Sequence, residues 1–126
     1  MKSKKGFSLL EVLISISLFT VAAMALAQAF SYQLAFNNAN EIRGGAIMAA
    51  QQVLDVYRVQ DPAILPQSGS SPEQFLTIGG RTYSVVAYFC EQAIYCQSNR
   101  VRQIRAAVHY QNKKFYEVQT IYSQLK

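Results

Sequence analysis

Few residues of this chain have the type and spacing to do chemistry. Glu11 comes first. It is a lone carboxylate inside an apolar run from Phe7 to Phe30, four residues beyond a Gly6–Phe7 junction, and a leader carrying Lys2, Lys4 and Lys5 precedes that junction. A charge at the centre of a bilayer costs about 2.5–3.5 kcal/mol on insertion scales, so an acid retained there implies a use. A buried carboxylate needs a counter-charge, yet no other charged residue stands between Phe7 and Asn40. Cys90 and Cys96 are the two cysteines. Outside the cytoplasm such a pair reads as a disulfide closing a short loop. Free thiols are the alternative, and a metal would need ligands beyond two thiols. Arg100, Arg102, Arg105, Lys113 and Lys114, with Tyr110, Phe115 and Tyr116 among them, are of the kinds that hold single-stranded nucleic acid by charge and stacking. They also read as a solvated strand face with edge lysines that block unwanted pairing. The second reading is favoured, because Arg102 and Arg105 fall on opposite sides of one strand. The single histidine, His109, lies well away from the cysteines, and Ser68, Ser70 and Ser71 have no base near them in sequence. No catalytic residue, cofactor or metal site is predicted, and an enzyme is not expected.

These residues depend on a small number of elements for their positions. The chain has 126 residues, room for one small domain, and a net charge of +5. With the leader lysines set aside, nine basic residues face seven acidic ones. The basic balance therefore speaks of targeting more than of a nucleic-acid partner. Phe7 to Phe30, as a helix of about 36 Å, spans a hydrocarbon core of ~30 Å. An ordinary secretory signal has a shorter apolar region, and a plain signal anchor leaves Glu11 and the Gly6–Phe7 junction unexplained. The leader lysines predict a cytoplasmic amino terminus, with everything after Phe30 facing outward.

No proline precedes Pro62, so one helix can continue to about Arg58. Ala35, Ala39, Ile42, Ala46, Ala49, Val53 and Val56 recur at helical spacing and form a one-sided stripe, widened by Ile47, Leu54 and Tyr57. Packing of this Ala-rich stripe on the chain's own sheet is expected in preference to a coiled coil. Gly44-Gly45 interrupts it, either as a bend or as a close packing contact, and the contact is favoured. Asp61 to Gln74 holds all three prolines and reads as a loop. Beyond it the period becomes two. Phe75–Ile78 and Arg81–Cys90 form a hairpin around Gly79-Gly80. Arg100–Tyr110 follows, with Ile104, Ala106, Val108 and Tyr110 on one face and Gln103, Arg105 and His109 on the other. Gln111–Lys114 is a turn, and Phe115–Leu125 is a fourth strand with Tyr116, Val118 and Tyr122 on one side. One face of the sheet should cover the helix, and the other should be wet.

Gly6, Phe7 and Glu11, with the basic leader before them and the apolar run after them, resemble the amino-terminal signature of type IV prepilins and type II secretion pseudopilins. The resemblance is strong from Lys4 to about Arg58 and weak beyond. It implies an α+β, type IV pilin-like fold: a long amino-terminal helix, membrane-spanning in its first half, packed on a four-stranded antiparallel sheet. The expected organisation is a cleaved leader over 1–6, an assembly half of the helix over 7–30, an amphipathic half over 31–60, a loop over 61–74 and the sheet over 75–126. It further implies cleavage between Gly6 and Phe7 by a prepilin peptidase and N-methylation of Phe7. Glu11 would neutralise the amino group of Phe7 in a neighbouring subunit. The implied partners are other pilin or pseudopilin subunits, the peptidase, an inner-membrane assembly platform and, before assembly, the bilayer. The place is the bacterial inner membrane and then an extracytoplasmic filament.

Leu9-Leu10-Glu11-Val12-Leu13 and Ala49-Ala50-Gln51-Gln52-Val53-Leu54-Asp55 look like the V-type minor pilins and I-type minor pseudopilins. Those subunits start or cap a fibre. Major pilins of the family often carry Gly and Pro in the apolar helix, whereas this chain has Thr20 and Gln28 around those places and no Gly or Pro between Phe7 and Arg43. The expected function is a minor subunit at or near a filament tip. The alternative is a fibre-mounted binding module that recognises DNA or a surface.

Overall fold

The computed structural model describes residues 6–123. The leader lysines and the expected strand end beyond Ser123 lie outside the described residues. Helix α1 runs Leu9–Arg58, and four strands follow: β1 (Gln74–Ile78), β2 (Arg81–Phe89), β3 (Val101–Tyr110) and β4 (Lys113–Ser123). The strands form one antiparallel sheet in the order β1-β2-β3-β4. This is the α+β, type IV pilin-like arrangement that the resemblance implies. The chain divides into two compact units, Met1–Asn38 and Ala39–Lys126.

In the first unit the helix is apolar all round. Every residue from Gly6 to Asn38 is exposed. Its in-helix serine and threonine hydroxyls bond back to the helix's own carbonyls: Ser15 to Glu11 at 2.7 Å, Ser17 to Ile14 at 2.8 Å, Thr20 to Ser17 at 2.8 Å and Ser31 to Ala27 at 3.1 Å. Self-satisfied hydroxyls can enter hydrocarbon without leaving polar atoms unpaired. This stretch is long and apolar enough to cross a membrane, as a single anchor would be.

In the second unit the helix packs on the sheet along two rows spaced at four residues, Ile42-Ala46-Ala50-Leu54 and Gly45-Ala49-Val53, all buried. The facing side chains are Tyr83, Val85, Ala87 and Phe89 of β2 and Ile104, Ala106 and Val108 of β3, with Leu65 closing the same core. Rows at spacing four are natural packing ridges, and they drift around the helix as they advance. A straight stripe does not drift, so its ends miss the contact. Ala35, Ala39 and Val56 are exposed, whereas Ala50 and Gly45 are inside. At the carboxyl end the contact has moved to Tyr57, edge-on to Phe89 with ring centres 5.2 Å apart, and to the Leu54 carbonyl, which accepts from the Tyr122 hydroxyl at 3.2 Å.

The helix is continuous through Gly44-Gly45. A Cβ on Gly45 would overlap the hydroxyl and ring of Tyr83, while one on Gly44 would meet nothing within 4 Å. Gly45 is thus the close packing contact.

Both hairpins turn on two residues with positive φ, the geometry that matches strand twist. Gly79 and Gly80 have φ of 58° and 75°, and Gln111 and Asn112 have 51° and 61°. The second turn is therefore shorter than Gln111–Lys114, and Lys113 and Lys114 already belong to β4. Residues 61–74 are not free of the sheet either. The Ser71 amide donates to the Ala87 carbonyl at 2.7 Å, the Ala87 amide to the Ser71 hydroxyl at 3.0 Å, and the Phe89 amide to the Gly69 carbonyl at 2.9 Å. The Ser-Gly stretch thus covers the part of β2 that short β1 leaves open.

Candidate functional site

At the amino end, Gly6, Phe7 and Ser8 precede the helix and Phe7 is 82% exposed. Ser8 is the residue before the first helical turn, and its hydroxyl accepts from the Glu11 amide at 3.2 Å. This is N-cap geometry. Glu11 lies in the first turn, where a carboxylate meets the positive end of the helix dipole. Among the described residues it makes no ion pair. Gly6 and Phe7 thus lie just ahead of the helix, and Glu11 lies in its first turn. Ser8 was not singled out in the sequence, although Ser8-x-x-Glu11 ahead of an apolar run is a recognisable capping pattern.

Cys90 and Cys96 form a disulfide with Cα atoms 5.8 Å apart. Of the readings left open by the sequence, the disulfide holds. Cys90 has a φ of 50°. The loop carries a single 3-10 turn, Ala93–Tyr95, and exposes Ile94 at its tip. Gln103 fastens it from beneath. The Gln103 carbonyl accepts from the Cys90 amide at 2.9 Å, and its side-chain oxygen accepts from the Gln92 amide at 2.8 Å. Gln103 was expected on a wet face, but it is buried under this loop, and Ala107 on the same face is buried too. Strand alternation alone gives no signal for a loop folding over one end of a sheet face.

The basic region does not form one cationic surface. Arg102 is fully buried on the helix side, donating from Nη1 to the carbonyls of Ser98 at 2.8 Å and Val101 at 2.9 Å. Its Nε reaches the Leu65 carbonyl at 3.4 Å, and its Nη2 is buried and unpaired among the described residues. It joins the loop after the helix to the segment before β3 and is not available to a ligand. Arg105 lies on the opposite side, as expected. It donates to Glu91 at 2.7 Å, lies 3.4 Å from Glu117 and stacks 4.1 Å from the Tyr88 ring centre. The hydrogen bond from Arg105 holds the Glu91 carboxyl below its usual range. Lys114 bonds Glu117 at 2.7 Å and lowers that carboxyl in the same way. Lys113 sits 5.7 Å from the Phe115 ring centre. Arg100 is exposed.

His109 is half-buried on the outer face of the sheet, in a shallow hollow of about 220 Å³ with Glu73, Phe75 and Ser84. Among the described residues no three His, Cys, Asp or Glu side chains are grouped to hold a metal ion. Glu41 pairs with Arg81 at 2.8 Å, joining the helix to the first hairpin, and the Arg81 hydrogen bond lowers the Glu41 carboxyl.

Neither a characterised protein nor a solved structure matches the chain. Residues 1–27 match the family described as the prokaryotic N-terminal methylation motif. That motif, followed by a long helix packed on a four-stranded antiparallel sheet, is consistent with the type IV pilin and pseudopilin fold in general.

Proposed function

We propose that the chain is a minor pilin or minor pseudopilin, a low-abundance structural subunit placed at or near the tip of a type IV pilus or type II secretion pseudopilus. It is inserted in the bacterial inner membrane by its first helical half, with the sheet outside the cytoplasm. A prepilin peptidase cuts between Gly6 and Phe7, Phe7 is N-methylated, and an assembly platform moves the subunit from bilayer to filament. It performs no catalysis and carries no cofactor. The observation that carries this reading is the first helical unit. Its in-helix serine and threonine hydroxyls are satisfied by the helix's own carbonyls, every residue from Gly6 to Asn38 is exposed, and one carboxylate in its first turn has no ion pair among the described residues. Such a helix needs both an apolar surround and one positive partner. A neighbour's Phe7 amino group meets the second need.

The test separates processing from assembly. Glu11→Val removes only the costly charge, so it should be cut and inserted like wild type but be missing from sheared filaments. Glu11→Val present there at wild-type level would refute the role given to Glu11. The mature amino terminus, read by mass spectrometry, should be methylated Phe7. A secretory signal peptidase would instead use an Ala-x-Ala triplet between Ala23 and Ala29, and a terminus there would overturn the proposal. The alternative of a DNA-binding module is weakened by its own cations, because Arg102 is buried and Arg105 and Lys114 are paired with acids.

A further inference from the structure

We propose that Ser8 is a positioning residue for the cleavage: it ends the helix just past the Gly6–Phe7 bond, so that this bond is presented as extended chain. The proposal rests on the processing reading above. The helix begins at Leu9, and Gly6, Phe7 and Ser8 are outside it. The Ser8 hydroxyl accepts from the Glu11 amide at 3.2 Å, while its carbonyl accepts from Glu11 at 3.0 Å and Val12 at 3.3 Å.

The first amides of any helix have no partner inside it. Where hydrocarbon keeps water from them, the chain can satisfy them in two ways. A side chain can cap them, or the helix can add a turn upstream. In the second case the carbonyls of Lys5, Gly6 and Phe7 would take the amides of Leu9, Leu10 and Glu11, following the four-residue step of the α-helix. The Gly6–Phe7 peptide would then be held in the helix and could not extend into a protease cleft. A residue at the cap position has extended backbone angles, so Ser8 favours the first outcome. Gly6 opposes the second as well, being a poor helix former. Ser8→Ala removes the cap and supplies the best helix former at the same place.

The experiment uses the full-length chain in membranes with a prepilin peptidase, comparing initial cleavage rates of wild type, Ser8→Ala, Ser8→Thr and Ser8→Asn. Thr and Asn are cap formers and should stay within about twofold of wild type. Ala should be slower by about fivefold, the effect of one lost cap. All four should resist alkaline extraction equally, because the apolar run is unchanged; a variant that inserts poorly would be failing for a different reason. Asn is the deciding arm, since it caps without a hydroxyl. Asn as slow as Ala would mean that the peptidase reads the hydroxyl itself, and would overturn the proposal. Ala as fast as wild type would overturn it too. An uncut wild type is a different result, because it removes the processing reading and this proposal with it.

Discussion

At the scale of the residue, Gly44 and Gly45 are neighbours with opposite duties. Gly45 lies directly under Tyr83, which is 1% exposed and cannot swing aside. Gly45→Ala should destabilise the second unit by about 1–3 kcal/mol through overpacking. Gly44→Ala meets open space and should stabilise it by about 0.5–1 kcal/mol through helix propensity. Urea midpoints of a fragment starting at Ser31 check both, and equal midpoints would mean that Tyr83 does not press on Gly45. Sequence marks the pair as unusual but cannot tell the two glycines apart, because the difference comes from a side chain about forty positions later. Arg102 and Gln103 were opaque for the same reason. Arg102 looks solvated by its type and Gln103 by its place in the alternation, yet each is buried against a loop whose path no local pattern encodes. Glu11, Gly6 and Phe7 were legible because their meaning lies in one short stretch, as a charge and a junction set against an apolar run.

At the scale of the element, periodicity located the helix and the four strands to within two residues at each described end. The least legible feature was the line along which the helix meets the sheet. Apolar spacings of four and three describe a straight stripe, but the contact follows drifting rows at spacing four and leaves Val56 half in solvent, at 54%. A paired substitution separates the two geometries. Ala49→Glu places an unpaired charge in the contact and should cost about 3–5 kcal/mol, enough to unfold the second unit. Val56→Glu should change stability by no more than about 0.5 kcal/mol. Thermal melts of the same fragment decide. A collapse with Val56→Glu would restore the straight stripe.

At the scale of the whole molecule, covalent and non-covalent ties divide the second unit between them. The disulfide and Gln103 hold the β2–β3 connection, Arg102 holds the loop after the helix, and Glu41–Arg81 ties the first hairpin to the helix. Strand order, by contrast, needs no tie. Every strand pairs with its neighbour in sequence, so β1-β2-β3-β4 is a meander with two two-residue turns and a β2–β3 connection that the disulfide closes. The consequence is an order of events in time. Short loops cost little entropy to close, whereas bringing Ile42–Leu54 onto β2 and β3 closes a loop of several tens of residues. The sheet should therefore zip first and the helix dock late. Stopped-flow folding of the fragment reports this. Val85→Ala, in the meander, should chiefly slow folding, and Val53→Ala, on the helix, should chiefly speed unfolding. The reverse pattern would mean that the helix templates the sheet. If docking is late, the sheet can be complete while Ile42–Leu54 is still undocked, so the helix is the last part of this unit to commit.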